Sequence, residues 1–254
     1  MSIGYQQDQG VATITIDRPE KKNAITAEMY EAIVAGLRRA AADPSVRVVV
    51  ITGAGGAFTA GNDLKGFADP RFIQPDSPVL GFMQALAGFE KPVIAAVNGI
   101  AVGIGVTMLL HCDLVYVADN ATFSTPFTGL GLVPEFGSTL LFPMIAGRVR
   151  ATEALVLGKP FPAAEAVAMG IANAVLPAAE LMAHVQAVAR KFAALPPGSV
   201  RDSKKLLKQA LGNAVQETIL REASHFGPRL AGGEAREAIA ALIEKRAPDF
   251  SKFS

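Results

Sequence analysis

Glu135 is the acidic residue whose surroundings in the sequence best suit proton transfer. It lies in the segment GLGLVPEFGS, residues 129–138, and no cationic residue follows it before Arg148. Burial in such an apolar segment would raise the pKa of the carboxyl group and make it a base near neutral pH. A second interpretation fits as well, because Pro134 and Glu135 can occupy the first turn of a helix, where proline and acids are favoured. The spacing alone leaves both interpretations open.

Two glycine-containing turns could offer backbone amides to an anion. Residues 52–64 read TGAGGAFTAGNDL, residues 98–106 read NGIAVGIGV, and each turn follows a run typical of a strand. Glycines let the chain turn sharply and leave N–H groups that can hold an anion or a developing oxyanion. Neither turn fits the dinucleotide-binding fingerprint, because Phe58 and Met108 stand where a third glycine is required. Tight packing of strand against helix would also explain these glycines.

Metal and thiol chemistry have weak support in the sequence. Cys112 is the single cysteine, which excludes a disulfide framework and a zinc cluster built from cysteines. Its neighbours are His111 and Asp113, and adjacent side chains on a helix do not face each other. The three histidines are far apart and show no metal-binding spacing. We therefore expect no catalytic metal and no thiol nucleophile, and we expect Asp113 to cap the start of a strand.

Strand and helix patterns alternate along the first two hundred residues, which predicts an α/β fold. The runs predicted as strands are residues 11–17, 46–52, 92–97, 114–118 and 174–176. The second and third are nearly continuous apolar runs, typical of strands that are covered on both faces. Both glycine turns therefore follow buried strands.

The helical patterns divide the chain into two regions. Thr26 can cap a helix that carries Met29, Ile33 and Leu37 on one face and ends at Asp43. Later helices are predicted at residues 181–192, 200–211, 215–225 and 234–245. No strand pattern follows Pro197, so we predict an α/β core over residues 1–197 and a helical region over residues 198–254.

The composition limits the class of protein. Half of the 254 residues are hydrophobic, and 24 Lys and Arg balance 23 Asp and Glu. A chain of this kind folds around a core and has no charge surplus for nucleic acid.

Residues 92–110 form an apolar stretch, which we interpret as strand, turn and helix and not as a membrane span. The first residues show no signal or transit peptide, so a cytoplasmic location is expected. Residues 66–78 contain three prolines and predict a surface loop beside the site.

Five segments in order along the chain resemble the crotonase superfamily, which contains the enoyl-CoA hydratases and isomerases. They are DRPEKKNA (residues 17–24), GAFTAGNDL (56–64), KPVIAAVNG (91–99), HCD (111–113) and EKRAPDF (244–250). The resemblance covers nearly the whole chain. It implies a spiral of ββα repeats, closed by a C-terminal helical region that builds homotrimers, often paired into hexamers.

The resemblance also implies a substrate and the residues that bind it. Members bind acyl-CoA thioesters and hold the thioester carbonyl between two backbone amides, which here belong to Asn62 and Ile104. Ile104 stands where the family often has glycine. The other residues expected to bind substrate are Ala60, Gly61, Asp63, Leu64, Lys65, Gly103 and Phe127. Arg18, Lys65 and Lys252 are candidates for the CoA phosphates, although ordinary solvated surface cations would look the same.

The residues at two family positions bear on the reaction. Hydratases of the family use two glutamates, and the matching positions hold Thr107 and Phe127. One branch, similar to the peroxisomal 3-enoyl-CoA isomerases, has Thr-Pro-Phe, Leu-Gly and Pro-Glu in the arrangement found over residues 125–135. That match implies that Glu135 is the base and that Phe127 is a wall of the acyl pocket.

The expected activity is movement of the double bond of 3-enoyl-CoA thioesters to the 2-position, in fatty acid metabolism, with no cofactor beyond the CoA of the substrate. Two alternatives remain open at this point. One is hydratase-like or other acyl-CoA chemistry, such as thioester hydrolysis or dehalogenation, on the same scaffold. The other is a non-catalytic acyl-CoA binder.

Overall fold

A computed structural model describes residues 2–64, 66, 71, 74 and 76–253. Ten strands lie in this part of the chain: β1 (Ile3–Asp8), β2 (Val11–Ile16), β3 (Val48–Gly53), β4 (Ala57–Thr59), β5 (Val93–Val97), β6 (Ile100–Val102), β7 (Leu114–Ala118), β8 (Thr122–Ser124), β9 (Phe161–Pro162) and β10 (Ala174–Leu176). They form two sheets, one in the order β1-β2-β3-β5-β7-β10 and one in the order β4-β6-β8-β9.

Ten α-helices lie among the same residues. They are α1 (Ala27–Ala42), α2 (Pro78–Ala87), α3 (Ile104–Thr107), α4 (Ser138–Ala146), α5 (Arg148–Leu155), α6 (Ala163–Ala168), α7 (Leu181–Ala194), α8 (Pro197–Gln209), α9 (Ala214–Leu230) and α10 (Gly233–Glu244). None of these helices is long and apolar enough to cross a membrane.

The larger sheet is parallel except for its first strand. β1 pairs antiparallel with β2, and every later neighbour is parallel. All residues of β3 and β5 are buried, as their continuous apolar runs predict. Helix α7 packs against one face of the sheet, over β3 and β5. Its Leu181 and Val185 belong to a second apolar cluster that includes Val50. The sheet is therefore covered on both faces.

Helix α1 has the N-cap and the buried apolar face that its sequence predicts. The Thr26 hydroxyl accepts a hydrogen bond from the Met29 amide, which is an N-cap, and the helix ends at Asp43. Met29, Ile33 and Leu37 are buried on one face. Their burial fixes the position of the helix against the first sheet.

The smaller sheet determines where the candidate site lies. β4, β6 and β8 run parallel to one another, with Thr59 paired to Ala101 and Ala101 paired to Phe123. The carboxyl ends of neighbouring parallel strands meet at one edge of a sheet. The turns that follow these three strands, which begin at Ala60, Gly103 and Thr125, are therefore neighbours.

All five predicted strands are present, with ends within two residues of the prediction. Five strands were not predicted. The strands β4, β6, β8 and β9 have only two or three residues, which give no readable periodicity, and β1 has the sequence IGYQQD, which does not alternate apolar and polar residues. The second glycine turn itself contains β6, so the apolar stretch 92–110 is strand, turn, strand and a short helix. Helix α9 extends past its predicted end at His225 to Leu230, and α8 begins at Pro197. The predicted loop 66–78 lies largely outside the described residues.

The C-terminal helices share the core of the rest of the chain. Helix α9 packs against α2 and α4, and Ile219, Leu230 and Ala235 belong to the same apolar cluster as the α1 side chains. Helix α8 is joined to the larger sheet through a buried ion pair. The Lys204 Nζ donates to Asp113 Oδ2 at 2.6 Å and to the Lys91 carbonyl at 2.7 Å, and Asp113 Oδ2 also accepts from the Val93 amide. The Asp113 side chain thus caps the first residue of β5, which confirms the predicted role as a cap at the start of a strand.

Replacing Asp113→Asn should lower the free energy of unfolding by about 3 kcal/mol, because it leaves the ammonium of Lys204 buried without its carboxylate. The Lys204 side chain is 7% exposed and that of Asp113 is 21% exposed. Urea denaturation followed by circular dichroism measures the change. The control is Glu153→Gln, which removes an exposed pair with Lys159 and should change stability little. Equal losses in the two variants would contradict the importance of the buried pair.

Candidate functional site

The two predicted anion-binding turns touch each other. Gly61 has φ +83° and Gly103 has φ +55°, backbone conformations that favour glycine. A Cβ at Gly61 would lie 2.7 Å from the Val102 carbonyl oxygen and 3.9 Å from the Gly103 nitrogen. No side chain fits in that space, so glycine is required for the turns to approach. The next residues along the two turns are Asn62 and Ile104.

The amides of Asn62 and Ile104 are available to a ligand. Within the described part of the chain, no residue accepts a hydrogen bond from either N–H group. The Ile104 amide begins α3 and so has no intrahelical acceptor. The Ile104 side chain is itself buried in the main core, so the turn accommodates a residue larger than glycine. Two free amides on adjoining turns can hold one oxygen atom that carries negative charge.

Three hydrogen bonds hold the turn that contains Asn62. The Tyr30 hydroxyl, on α1, donates to Asn62 Oδ1 at 2.5 Å. The backbone of Ile25 bonds on either side of Asn62, to the Gly61 carbonyl at 2.8 Å and to the Asp63 amide at 2.9 Å. These contacts fix the conformation of the Asn62 turn. Tyr30 is a contact of the candidate site that no local sequence signal identified.

Arg18 contacts the same turn. Its Nη1 donates to Asp63 Oδ2 at 2.6 Å and to the Ala24 carbonyl at 3.2 Å. Arg18 and Asp63 therefore stabilise the turn in this structure, and a phosphate contact for Arg18 stays a prediction. Lys252 forms an exposed pair with Glu237 at 2.9 Å. Lys65 lies outside the described residues.

Glu135 lies in irregular chain, three residues before α4 begins at Ser138. The interpretation that it occupies the first turn of a helix is therefore wrong. The residue is 5% exposed, and its Oε1 has no hydrogen-bond partner among the described residues. Burial raises the pKa of the carboxyl group to about 8, and the negative charge of Glu222 adds to the effect.

A strained turn carries Glu135. Phe136 has φ +64°, which is unusual for a bulky residue, and Gly137 follows at φ +70°. The Phe136 ring stacks on the His111 ring at 4.0 Å, and His111 Nε2 lies 2.7 Å from the Phe136 carbonyl oxygen. The Gly137 amide donates to Glu222 Oε2 at 2.6 Å. Strain of this kind persists where surrounding contacts fix the backbone, and it is frequent at functional sites.

Glu135 and Asn62 line the same cavity, which has a volume of about 440 Å³. Apolar side chains from α2 and α9 form much of the wall: Val79, Leu80, Met83, Ile219, Leu220 and Phe226. A mainly apolar cavity with a few convergent polar groups is the usual form of a small-molecule site. The contribution of α9 was not predicted, because its wall residues are far from the motifs in sequence.

Several predicted residues lie beside this cavity and not in its wall. Ile104 and Phe127 are not among the described wall residues. Phe127 is buried, and its Cε1 lies 3.9 Å from the place of a Cβ on Gly103, so the aromatic ring adjoins the second turn. The Ala60 amide donates to the Lys22 carbonyl at 2.9 Å and is engaged within the protein. Contacts of Ala60, Leu64 and Phe127 with a substrate stay predictions.

Thr107 and Phe127, which stand where the hydratases of the family have glutamates, provide no carboxylate. Thr107 is fully buried on α3, and its hydroxyl has no hydrogen-bond partner in the described part of the structure. Neither this hydroxyl nor the Phe127 ring can exchange a proton as a glutamate does. Among the predicted site residues, Glu135 is the group suited to proton transfer.

Comparisons with known proteins identify the family of this chain. The family model described as enoyl-CoA hydratase/isomerase matches residues 6–252. Enoyl-CoA delta isomerase 2 of Rattus norvegicus is 37% identical over 243 residues, which are 93% of this chain and 62% of that protein. The chain thus spans less than two thirds of the length of that relative. The 1,2-epoxyphenylacetyl-CoA isomerase of Escherichia coli strain K12 is 35% identical over 96% of this chain and 96% of that protein.

A solved structure shows the same fold. The enoyl-CoA hydratase/isomerase from Pseudoalteromonas atlantica T6c superposes with a TM-score of 0.94 at 40% identity, covering 98% of this chain and 100% of that one. This similarity confirms the predicted crotonase-like α/β fold; the assembly of the C-terminal helices into trimers stays a prediction. The chain therefore belongs to the enoyl-CoA hydratase/isomerase family, the crotonase superfamily that its ordered motifs resemble.

Proposed function

We propose that this protein moves the double bond of 3-enoyl-CoA thioesters to the 2-position. The observation that carries the proposal is the position of Glu135, a buried carboxyl group that shares a cavity with Asn62 of the oxyanion turns. The occupants of the hydratase positions, Thr107 and Phe127, support isomerisation over hydration, since activating and adding water uses a further carboxylate. The delta isomerase name of the rat relative supports the same choice.

The reaction needs one base and one oxyanion site. Glu135 removes a proton from C2, the electrons of the C–H bond form a C1–C2 double bond, and negative charge gathers on the thioester oxygen. The amides of Asn62 and Ile104 stabilise that charge more strongly than they stabilise the neutral carbonyl. Protonated Glu135 then gives the proton to C4. The π electrons of the C3–C4 bond form the new C4–H bond, and the π electrons of the C1–C2 bond shift to make the C2–C3 double bond. A lone pair of the thioester oxygen then restores the C1 carbonyl.

The ionisation of Glu135 suits both halves of this cycle. A base with a pKa near the working pH accepts a proton readily and also returns it. The apolar walls that raise its pKa to about 8 also limit the water available to quench the dienolate. A non-catalytic acyl-CoA binder would have no use for a buried carboxyl group whose Oε1 has no hydrogen-bond partner in the described part of the chain.

Replacing Glu135→Gln should lower kcat for 3-enoyl-CoA isomerisation by about a thousandfold, because the amide keeps the size of the side chain and cannot accept the proton. Formation of the conjugated 2-enoyl thioester, followed by its ultraviolet absorbance, measures the rate. Binding of an unreactive acyl-CoA should remain. The exposed variant Glu153→Gln is the control, with activity unchanged. Isomerisation at the normal rate in Glu135→Gln would refute the assignment of the base.

The pH dependence follows from the raised pKa. Because the reaction needs the ionised form of Glu135, kcat/KM should rise about tenfold per pH unit at low pH and level off above pH 8, the pKa of this carboxyl group. Rates measured with 3-enoyl-CoA between pH 5 and pH 9 test this. A limb centred on the ordinary glutamate pKa, or a profile without a limb, would contradict the burial of the base.

Tyr30→Phe should lower kcat by about tenfold with a small effect on KM, because the lost hydrogen bond loosens the Asn62 turn, whose amide acts mainly in the transition state. Steady-state kinetics with 3-enoyl-CoA measure the change. Tyr5→Phe is the matched control, since the Tyr5 hydroxyl has no hydrogen-bond partner among the described residues. Equal kinetics in both variants would show that Tyr30 does not position the turn.

A further inference from the structure

A second buried glutamate, Glu222 on α9, lies behind the turn that carries Glu135. It is 5% exposed, and it comes from a helix more than eighty residues further along the chain. Its Oε2 accepts from the Gly137 amide at 2.6 Å, and its Oε1 accepts from the Thr139 amide at 2.8 Å and from the Thr139 hydroxyl at 2.6 Å. Both oxygens of the Glu222 carboxylate therefore accept hydrogen bonds from the start of α4. The donors are Gly137, the residue before the helix, and Thr139, its second residue.

These three hydrogen bonds fix the segment that presents the candidate base. Gly137 and Thr139 have backbone N–H groups at the start of α4, where helices leave donors unsatisfied. Glu222 satisfies two of them and so acts as a cap supplied by another helix, with a negative charge at the positive end of α4. Since Glu135 lies two residues before Gly137, the anchored turn determines where its carboxyl group points.

The charges around the two carboxyl groups are few. Glu222 on α9 raises the pKa of Glu135, and Tyr30 on α1 feels the charge of Glu135 in turn. His111 contacts the Phe136 carbonyl, but burial lowers its pKa to about 4, so it is neutral near pH 7. Arg221, beside Glu222 on the same helix, partly offsets the charge of that carboxylate, which burial otherwise disfavours. Burial nevertheless raises the pKa of Glu222 above the usual glutamate value, and the three donors oppose that rise without cancelling it.

We propose that Glu222 is a positioning residue for the reaction: through its three hydrogen bonds it holds the turn that carries Glu135, and it places a second carboxyl group behind that turn. The inference rests on the proposed function in taking Glu135 as the base. It assigns α9 two roles, because the helix provides apolar walls on one side of the cavity and anchors the catalytic turn through Glu222. A glutamate with only a structural role would stabilise the fold, and its replacement in a protein that still folds would leave kcat unchanged.

The test is a direct titration of Glu135 in wild type and in Glu222→Gln, by infrared spectroscopy of protein labelled with ¹³C at the glutamate carboxyl. The Glu135 signal is assigned as the band lost in Glu135→Gln in each background. Removing the charge of Glu222 should move the titration midpoint of Glu135 down by about one pH unit, and the acidic limb of kcat/KM should move with it. An unchanged midpoint in folded Glu222→Gln would overturn the proposal.

Two further variants separate charge from position. Thr139→Val removes one donor and keeps the charge of Glu222, so the midpoint should stay above that of Glu222→Gln. Glu222→Asp also keeps the charge but shortens the reach to both donors, so kcat should fall at unchanged KM. If Glu222→Gln does not fold, Glu222→Asp decides, and wild-type kcat in that variant overturns the positioning role.

The same data keep this inference apart from the proposed reaction. If Glu135→Gln isomerises 3-enoyl-CoA at the normal rate while the midpoint of Glu135 still moves in Glu222→Gln, the proposed reaction fails and the coupling of the two carboxyl groups is supported. If Glu135→Gln is inactive while the midpoint stays unchanged, the reaction is supported and the role of Glu222 is refuted.

Discussion

The loss of hydration around Glu135 is the interaction on which the site depends. A carboxylate in water is a weak base, and its apolar cavity raises the pKa to about 8. The Glu135 carboxyl group stays in this cavity only if the backbone that carries it cannot rotate the side chain toward solvent. The left-handed conformation of Phe136 supplies the direction and costs about 1–3 kcal/mol. Stacking on His111 and the hydrogen bond to Glu222 offset that cost. Burial, strain and anchoring thus belong to one arrangement.

The proposed oxyanion site is built from backbone amides and not from an ionisable side chain. The amides of Asn62 and Ile104 belong to the turns that follow β4 and β6, two parallel strands of the smaller sheet whose carboxyl ends lie at the same edge. Gly61 allows the turns to approach, and Tyr30 holds the side chain of Asn62. Backbone donors need no side-chain ordering and no ionisation, so this half of the site is insensitive to pH. We therefore expect the pH dependence of the proposed reaction to come from Glu135.

Local sequence signals identified the residues that act through short segments. The order of the motifs gave Asn62 and Ile104, the proline and glycine neighbours drew attention to Glu135, and the Thr26 cap gave the start of α1. The same signals missed Tyr30 and Glu222, because each contacts its partner across a sequence separation of 32 or more residues. An amphipathic helix shows which face is buried and does not show what that face touches.

The sequence by itself determined the alternation of strands and helices, the helical C-terminal region and the family, since these depend on periodicity, caps and motif order along the chain. Only the tertiary structure decided that Glu135 stands outside the helix and inside a cavity shared with Asn62. It also decided that Arg18 pairs with Asp63 and that α9 closes the site. The physical reason is that desolvation and hydrogen bonding between distant segments depend on packing in three dimensions, and no local pattern records that packing.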